Sequence, residues 1–133
     1  MASLTIGQLA RRAGVGIETV RFYERQGLLP KPPRTPSGYR QYSPDALGRL
    51  AFISRAKALG FALREIADLL ALDASREATC DDVKHRAERK LAETEAQLAE
   101  LTRVRDTLRG LIAQCGSGPA GTCPVLMNLK GEA

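Results

Sequence analysis

From Asp81 to about Gln114 the chain contains no proline and a single glycine, Gly110, close to the end of the run. More than 30 residues without a helix breaker predict one continuous α-helix. Along it, Leu91, Thr94, Leu98, Leu101, Arg105, Leu108 and Ile112 follow one another at alternating spacings of three and four, the register of a coiled-coil seam with polar interruptions at Thr94 and Arg105. The remaining faces are polar, so this stripe needs a partner helix. A second copy of the same chain is the economical partner, and the chain's own N-terminal part is the alternative.

The 133 residues leave room for one ordinary domain, or for a small domain plus such an appendage. Aromatic residues make up only 5% and there is no Trp, so Leu and Ala must do most of the packing, which favours helices. No apolar run reaches the ~18 residues of a membrane span, and the N-terminus MASLTIGQLA lacks the layout of a secretory signal. A cytoplasmic protein with no membrane partner is expected. The formal charge of +5 is unevenly spread: residues 1–60 carry net +7 and residues 61–133 net −2. The N-terminal half is therefore the part suited to a polyanion, with nucleic acid the first candidate and an anionic membrane surface the second.

Within that basic half, Thr5-Ile6-Gly7-Gln8 fits a capping box opening a helix that runs to about Ala13. Gly14-Val15-Gly16 breaks it, and a second short helix follows from about Ile17 to Arg25, with Gly27 placed as its C-terminal glycine. Two short helices around a glycine turn form a helix-turn-helix candidate, a pattern that many small helical hairpins share. The next segment, LLPKPPRTPSGYRQY, holds four prolines and a Ser-Gly turn and reads as a loop or β-wing that lays Arg34, Tyr39 and Arg40 against a phosphate backbone; a solvated basic loop is the plainer alternative. Ser43-Pro44 then opens a third helix ending at Leu59-Gly60, and Phe61 to Leu72 reads as a fourth.

The segments TIGQLARRAGVGIETVRFYERQGLLP and SGYRQYSPDALGRLAFISRAKALGFALREIADLL, in this order and spacing, resemble the DNA-binding domain of the MerR family. The resemblance is strong over about the first 72 residues and extends through the rest. It implies a mainly α fold: a winged helix-turn-helix DNA-binding domain over 1–72, a linker and a long antiparallel coiled-coil dimerisation helix over 73–114, and a metal-binding loop with the C-terminal segment over 115–133. It also implies a homodimer on double-stranded promoter DNA, working with RNA polymerase. Arg21 and Tyr23 in RFYERQG and Tyr39 and Arg40 in GYRQY match the family's DNA-contacting positions, with Arg34 a weaker match. Tyr23 could equally be a core aromatic.

Three cysteines, Cys80, Cys115 and Cys123, remain, and an odd number suits metal ligands, redox groups or buried apolar residues better than structural disulfides. At ~1.5 Å per residue an unbroken helix holds Cys80 and Cys115 roughly 50 Å apart, so they cannot share an ion within one chain. The antiparallel dimer that the resemblance implies brings Cys80 of one subunit to Cys115 and Cys123 of the other, giving two three-thiolate sites. Cys115 and Cys123 also match the two cysteines that flank the family's metal loop, ahead of an apolar segment like PVLMNL. Soft thiolates select mercury, cadmium, lead, zinc or monovalent copper over magnesium or calcium.

The resemblance divides on the ion. Divalent-metal and mercury sensors carry a cysteine where Cys80 stands, and copper, silver and gold sensors a serine. The seven residues between Cys115 and Cys123 are closer to copper(I) sensors, mercury sensors usually having one more. A third thiolate changes coordination number directly, whereas glycines absorb a loop difference, so Hg(II) is expected first and Pb(II) or Cd(II) next. Zn(II) fits less well, because Gln114 and Gly116 stand where that branch adds ligands. His85, the only histidine, lies about one turn past Cys80 and is either a ligand or part of a solvated face. A thiol-redox or metal-buffering protein is the alternative of another class. An enzyme is not expected, since no nucleophile and base pair up and no phosphate-binding glycine loop occurs.

Overall fold

Local capping chemistry sets where the first helices begin. In the computed structural model, which describes residues 3–34 and 36–131, the Gln8 amide donates to the Thr5 hydroxyl at 3.2 Å and the Thr5 amide to the Gln8 side chain at 3.0 Å, so the expected capping box opens α1 (Ile6–Ala13). Gly14 closes it at φ 72, a left-handed conformation that glycine adopts without steric cost. Helix α2 (Ile17–Arg25) has the expected bounds. Ser43 and Pro44 start α3 (Pro44–Ala58), although the Ser43 side chain makes no capping hydrogen bond and the turn is held by backbone alone.

Helix α4 (Leu63–Ala74) begins two residues later than the sequence pattern predicts. The reason lies in how α3 ends: Gly60 takes φ 92 and the Phe61 amide turns back to the Ala56 carbonyl at 3.1 Å, so Phe61 still belongs to the closing turn of α3. Ala62 then takes the N-cap position, its amide donating to Glu65 at 2.8 Å.

Four helices and the wing enclose one apolar core, in which Leu9, Val20, Leu28, Leu29, Tyr42, Leu50, Ile53 and Ile66 are buried. The wing contains two isolated antiparallel bridges among the described residues, Leu4 with Tyr42 and Arg34 with Arg40, and no longer strand. Its prolines lack the N–H groups that a longer ladder would need. The Leu4–Tyr42 bridge is tight, with both N–H···O distances at 2.8 Å, and it ties the wing base to the start of the chain. On the other side of the wing, Arg49 donates to the Leu28 carbonyl at 3.0 Å and fixes the segment leaving α2.

Helix α5 (Cys80–Gln114) is the long breaker-free helix, and it starts one residue earlier than expected. Thr79 and Asp82 form a reciprocal cap, the Thr79 amide donating to the Asp82 carboxylate at 2.8 Å and the Asp82 amide to the Thr79 hydroxyl at 3.4 Å. The first of these hydrogen bonds leads the interactions that lower the Asp82 pKa. The chain divides into two compact units, Met1–Arg86 and Ala87–Ala133. Within the first, Arg86 of α5 is ion-paired with Asp68 of α4, which raises the Arg86 pKa. In the second, a 3₁₀ turn (Ala120–Thr122) and α6 (Pro124–Leu129) follow α5. No residue of α5 is buried. Among the described residues no helix is long and apolar enough to cross a membrane.

Candidate nucleic-acid interface and metal centre

The exposed side of α2 and the wing face one cleft of about 450 Å³, lined by Arg21, Arg25, Lys31, Arg34 and Arg40 together with Tyr39 and Glu24. Five cations surround a single carboxylate, and that carboxylate is buried, so the opening is electropositive. Four of the five expected contact residues, Arg21, Arg34, Tyr39 and Arg40, line this cleft. Tyr23 does not line it: it is 5% exposed and packs in the core, and Lys57 Nζ donates to its hydroxyl at 3.4 Å. Of the two readings that its sequence left open, the core aromatic accounts for the ring. Arg25 and Lys31 escaped the sequence reading, although Arg25 sits one helical turn from Arg21 on the same face, a spacing that could have found it.

The arginines of this cleft are held very differently. Arg21 pairs with Glu18 at 2.9 Å, with half of its side chain exposed, and an exposed i,i+3 pair contributes only ~0–1 kcal/mol, so Arg21 is weakly held. Arg34 makes a long hydrogen bond to the Gly38 carbonyl at 3.4 Å, and Tyr39 beside it is 74% exposed. Arg40 instead donates to Glu24 at 2.9 Å, and the Glu24 side chain is 1% exposed. Arg40 keeps 29% of its side chain exposed, so the pair is buried on the carboxylate side, and removing Arg40 strands a buried charge, a loss of up to about 3–5 kcal/mol for a fully buried pair. Tyr42 donates its hydroxyl to the second oxygen of the same carboxylate at 2.6 Å. Burial, and then this hydrogen bond, push the Tyr42 pKa up to about 12.

At the other end of the sequence, α5 runs out at Gln114 and Cys115 follows, its amide still bonded to the Ile112 carbonyl at 3.1 Å. The loop returns through Pro119 and the 3₁₀ turn, pinned by the Thr122 hydroxyl donating to the Pro119 carbonyl at 2.8 Å. Cys123 is the N-cap of α6, and its sulfur meets that of Cys115 at 3.0 Å. This is well outside the ~2.05 Å of a disulfide, and both cysteines are free. The Cys115 thiol holds the Cys123 pKa below its ordinary value, helped by hydrogen bonds from the Val125 and Leu126 amides, while the same pairing raises the Cys115 pKa. Two soft sulfurs side by side, one of them with a lowered pKa, are a donor set that fits a soft metal ion.

Cys80 is exposed at the start of α5 and belongs to the first unit, whereas Cys115 and Cys123 belong to the second. Among the described residues no three of His, Cys, Asp and Glu converge as a metal-binding group. His85 is exposed on α5 and joins no such group. The fold therefore supplies two of the three expected sulfurs to one place.

A basic helix-and-wing cleft and a thiol pair beyond a long helix are now defined, and the family description "MerR HTH family regulatory protein" matches residues 4–73, with "MerR, DNA binding" matching residues 47–111. The chain belongs to the MerR family. It is similar to the mercuric resistance operon regulatory protein of Shigella flexneri, 38% identical over 134 residues that cover 100% of this chain and 92% of that one. Among solved structures, it resembles the transcription regulator PbrR691 from Ralstonia metallidurans CH34 in complex with lead(II), at a TM-score of 0.83 and 34% identity over 95% of this chain and 98% of that one. It also resembles MerR from Bacillus megaterium MB1 in complex with mercury(II), at a TM-score of 0.74 and 34% identity over 96% and 99% of the two chains. A further relative, HiNmlR, is a MerR family regulator bound to promoter DNA, with a TM-score of 0.60 and 26% identity over 85% and 86%. As a MerR-family chain, this protein is a DNA-binding transcription regulator and not an enzyme.

Proposed function

We propose that this MerR-family chain is a mercury(II)-responsive regulator that occupies its promoter as a homodimer and activates transcription by distorting the DNA. The observation that carries the metal half of this reading is the approach of Cys115 Sγ and Cys123 Sγ to 3.0 Å on a folded turn. In the dimer, Cys80 of the opposite subunit completes a three-thiolate set. Cys115, Cys123 and the opposite subunit's Cys80 would hold the ion, which would link the two subunits through thiolate coordination. The dimer itself rests on the exposed stripe of α5, where Leu91, Leu98, Leu101, Leu108 and Ile112 are 49–65% exposed. Fully burying such a side chain stabilises by ~1.5–3 kcal/mol, so covering the exposed half or so of each contributes about 1 kcal/mol, and the antiparallel direction is the one the family resemblance implies.

The DNA half rests on the α2 and wing cleft, with Arg21, Arg34 and Tyr39 toward the duplex and Tyr23 and Arg40 behind them. Residues 1–72 then bind DNA, 73–114 link and dimerise, and 115–133 take the ion. Bends of the size required cost about 1–6 kcal/mol on elastic estimates, within reach of a change in how the two DNA-binding units are held. Metal-free and metal-bound dimers both stay on the promoter, and RNA polymerase reads the difference.

Mercury is preferred because Cys80 offers a third thiolate and because the named relatives include mercuric resistance regulators. Lead(II) is the second reading, favoured by the lead-bound relative at TM-score 0.83. Transcription from the protein's own promoter, with mercury, lead, cadmium, zinc and copper(I) at matched free concentrations, tests both. Induction at the lowest concentration by mercury is expected. Induction by copper(I) alone would overturn the metal assignment, and none by any ion would overturn metal sensing.

A further inference from the structure

The buried carboxylate of Glu24 is the one charged group in the core of the DNA-binding unit among the described residues, and both of its oxygens are used by the wing. Oε2 accepts from Arg40 Nη1 at 2.9 Å and Oε1 accepts from the Tyr42 hydroxyl at 2.6 Å. Glu24 stands in the last turn of α2, three residues after Arg21, and is buried where Arg21 is exposed. Tyr42 is itself 1% exposed and locked to Leu4 through backbone hydrogen bonds in both directions. Arg40 is bridged to Arg34 across the wing. A single side chain of α2 thus grips both ends of the short segment that carries the wing back into the core.

We infer that Glu24 and Arg40 are positioning residues for DNA binding: their buried pair fixes the wing at a set distance from α2, so that Arg21 on the helix and Arg34 and Tyr39 on the wing meet one run of phosphates together. Arg40 then contributes geometry and not a countercharge, because its positive charge is already matched by a carboxylate that has no access to water. The four cations that remain, Arg21, Arg25, Lys31 and Arg34, are on the exposed side of the cleft and supply the electrostatic attraction. A coupled wing also suits a regulator that distorts DNA, since torque passes from helix to wing only if the two move as one piece. This inference rests on the helix-and-wing interface proposed above.

Salt dependence separates the two roles, because removing one phosphate-neutralising cation lowers the slope of log affinity against log salt by about 1, whereas a misplaced wing weakens binding at constant slope. Promoter binding by the full-length dimer, measured by fluorescence anisotropy between roughly 50 and 300 mM salt, should show Arg40→Gln and Glu24→Gln each weakening affinity roughly tenfold, in line with a lost charge-assisted hydrogen bond, with slopes unchanged. The double variant should be no weaker than the weaker single one. Arg40→Lys, which can still reach the carboxylate, should restore affinity when Glu24 is present and fail to do so beside Glu24→Gln. Hydroxyl-radical footprints should lose protection at the wing phosphates and keep it at the helix. Should Glu24→Gln lower the folded fraction, Tyr42→Phe, which deletes one hydroxyl and keeps the ring in the core, takes its place with the same expected pattern at smaller size. A reduced slope for Arg40→Gln, or rescue by Arg40→Lys whether or not Glu24 is present, would make Arg40 a phosphate ligand and overturn the inference. If Arg21→Gln and Arg34→Gln also leave affinity and slope untouched, the interface itself is wrong, a result distinct from failure of the positioning role.

Discussion

The two units solve the burial problem in opposite ways. In the first, short helices and a wing close over Leu9, Val20, Tyr42, Ile53 and Ile66, and even a carboxylate is buried with both oxygens bonded. The second holds α5 from Ala87 onward, where no residue is buried and the leucines of the seam stand in the open. The difference separates a part of the molecule whose apolar and charged groups are satisfied within the chain from a part whose leucines are not covered by it. A core with a satisfied buried charge tolerates no loose partner, whereas the open leucine stripe and the two accessible sulfurs are what the proposed dimer and its metal ion would complete.

The contrast can be broken most severely at the seam. Leu98→Glu with Leu101→Glu should convert the proposed dimer to monomer in sedimentation at micromolar concentration and weaken promoter binding by ~100-fold or more, because four leucines across the two subunits, worth about 1 kcal/mol each when covered, are replaced by repelling charges. A variant that stays dimeric would show that α5 is covered by something other than a second α5. Next in size, Cys123→Ser should abolish mercury induction while promoter affinity and the melting of the first unit stay within about twofold and within about a degree of the parent, which transcription and calorimetry would report together. Loss of DNA binding in that variant would mean the two units are not separable.

A smaller effect lies inside the finished unit. The Tyr42 hydroxyl titrates at about 12 when folded against ~10 unfolded, so the fold favours its neutral form. Its contribution is complete below pH ~10 and is lost as pH rises through about 12, so unfolding free energy should fall more steeply across that window in the parent than in Tyr42→Phe. Equal slopes would place Tyr42 outside the alkaline transition. Smallest of all, Thr79→Ala removes the side chain that caps α5 and should cost ~1 kcal/mol, seen as a few degrees in the melting temperature with no change in metal preference.

How much of the molecule is legible in its sequence depends on whether the governing interaction is local. The bounds of α1 follow from Thr5, Gln8 and Gly14 and those of α2 from Gly16 and Gly27, all acting within about one turn of themselves, and the breaker-free run marks α5 to within a residue. The start of α4 is not legible because Phe61 closes the previous helix, and apolar periodicity does not distinguish a capping residue from a helical one. The Thr79 cap is written in the sequence as T-x-x-D, a signal that the breaker-free run alone does not include. Cys115 and Cys123 are legible as a pair because a short glycine-bearing loop joins them, and the structure brings them together. The state of Arg40 is not legible, since its partner lies sixteen positions away across the core, and a basic wing residue looks the same whether it faces a phosphate or a buried carboxylate.

The turn that carries the sulfurs has a thermodynamic consequence. Its seven-residue loop, 3₁₀ turn and α6 are folded with the two sulfurs already adjacent, so the entropy of ordering that segment is not charged to the capture of a ligand. Capture at these two sulfurs should proceed with little change in heat capacity, the signature of a socket that exists before its occupant, whereas a tail that had to fold around its ligand would show a large negative one.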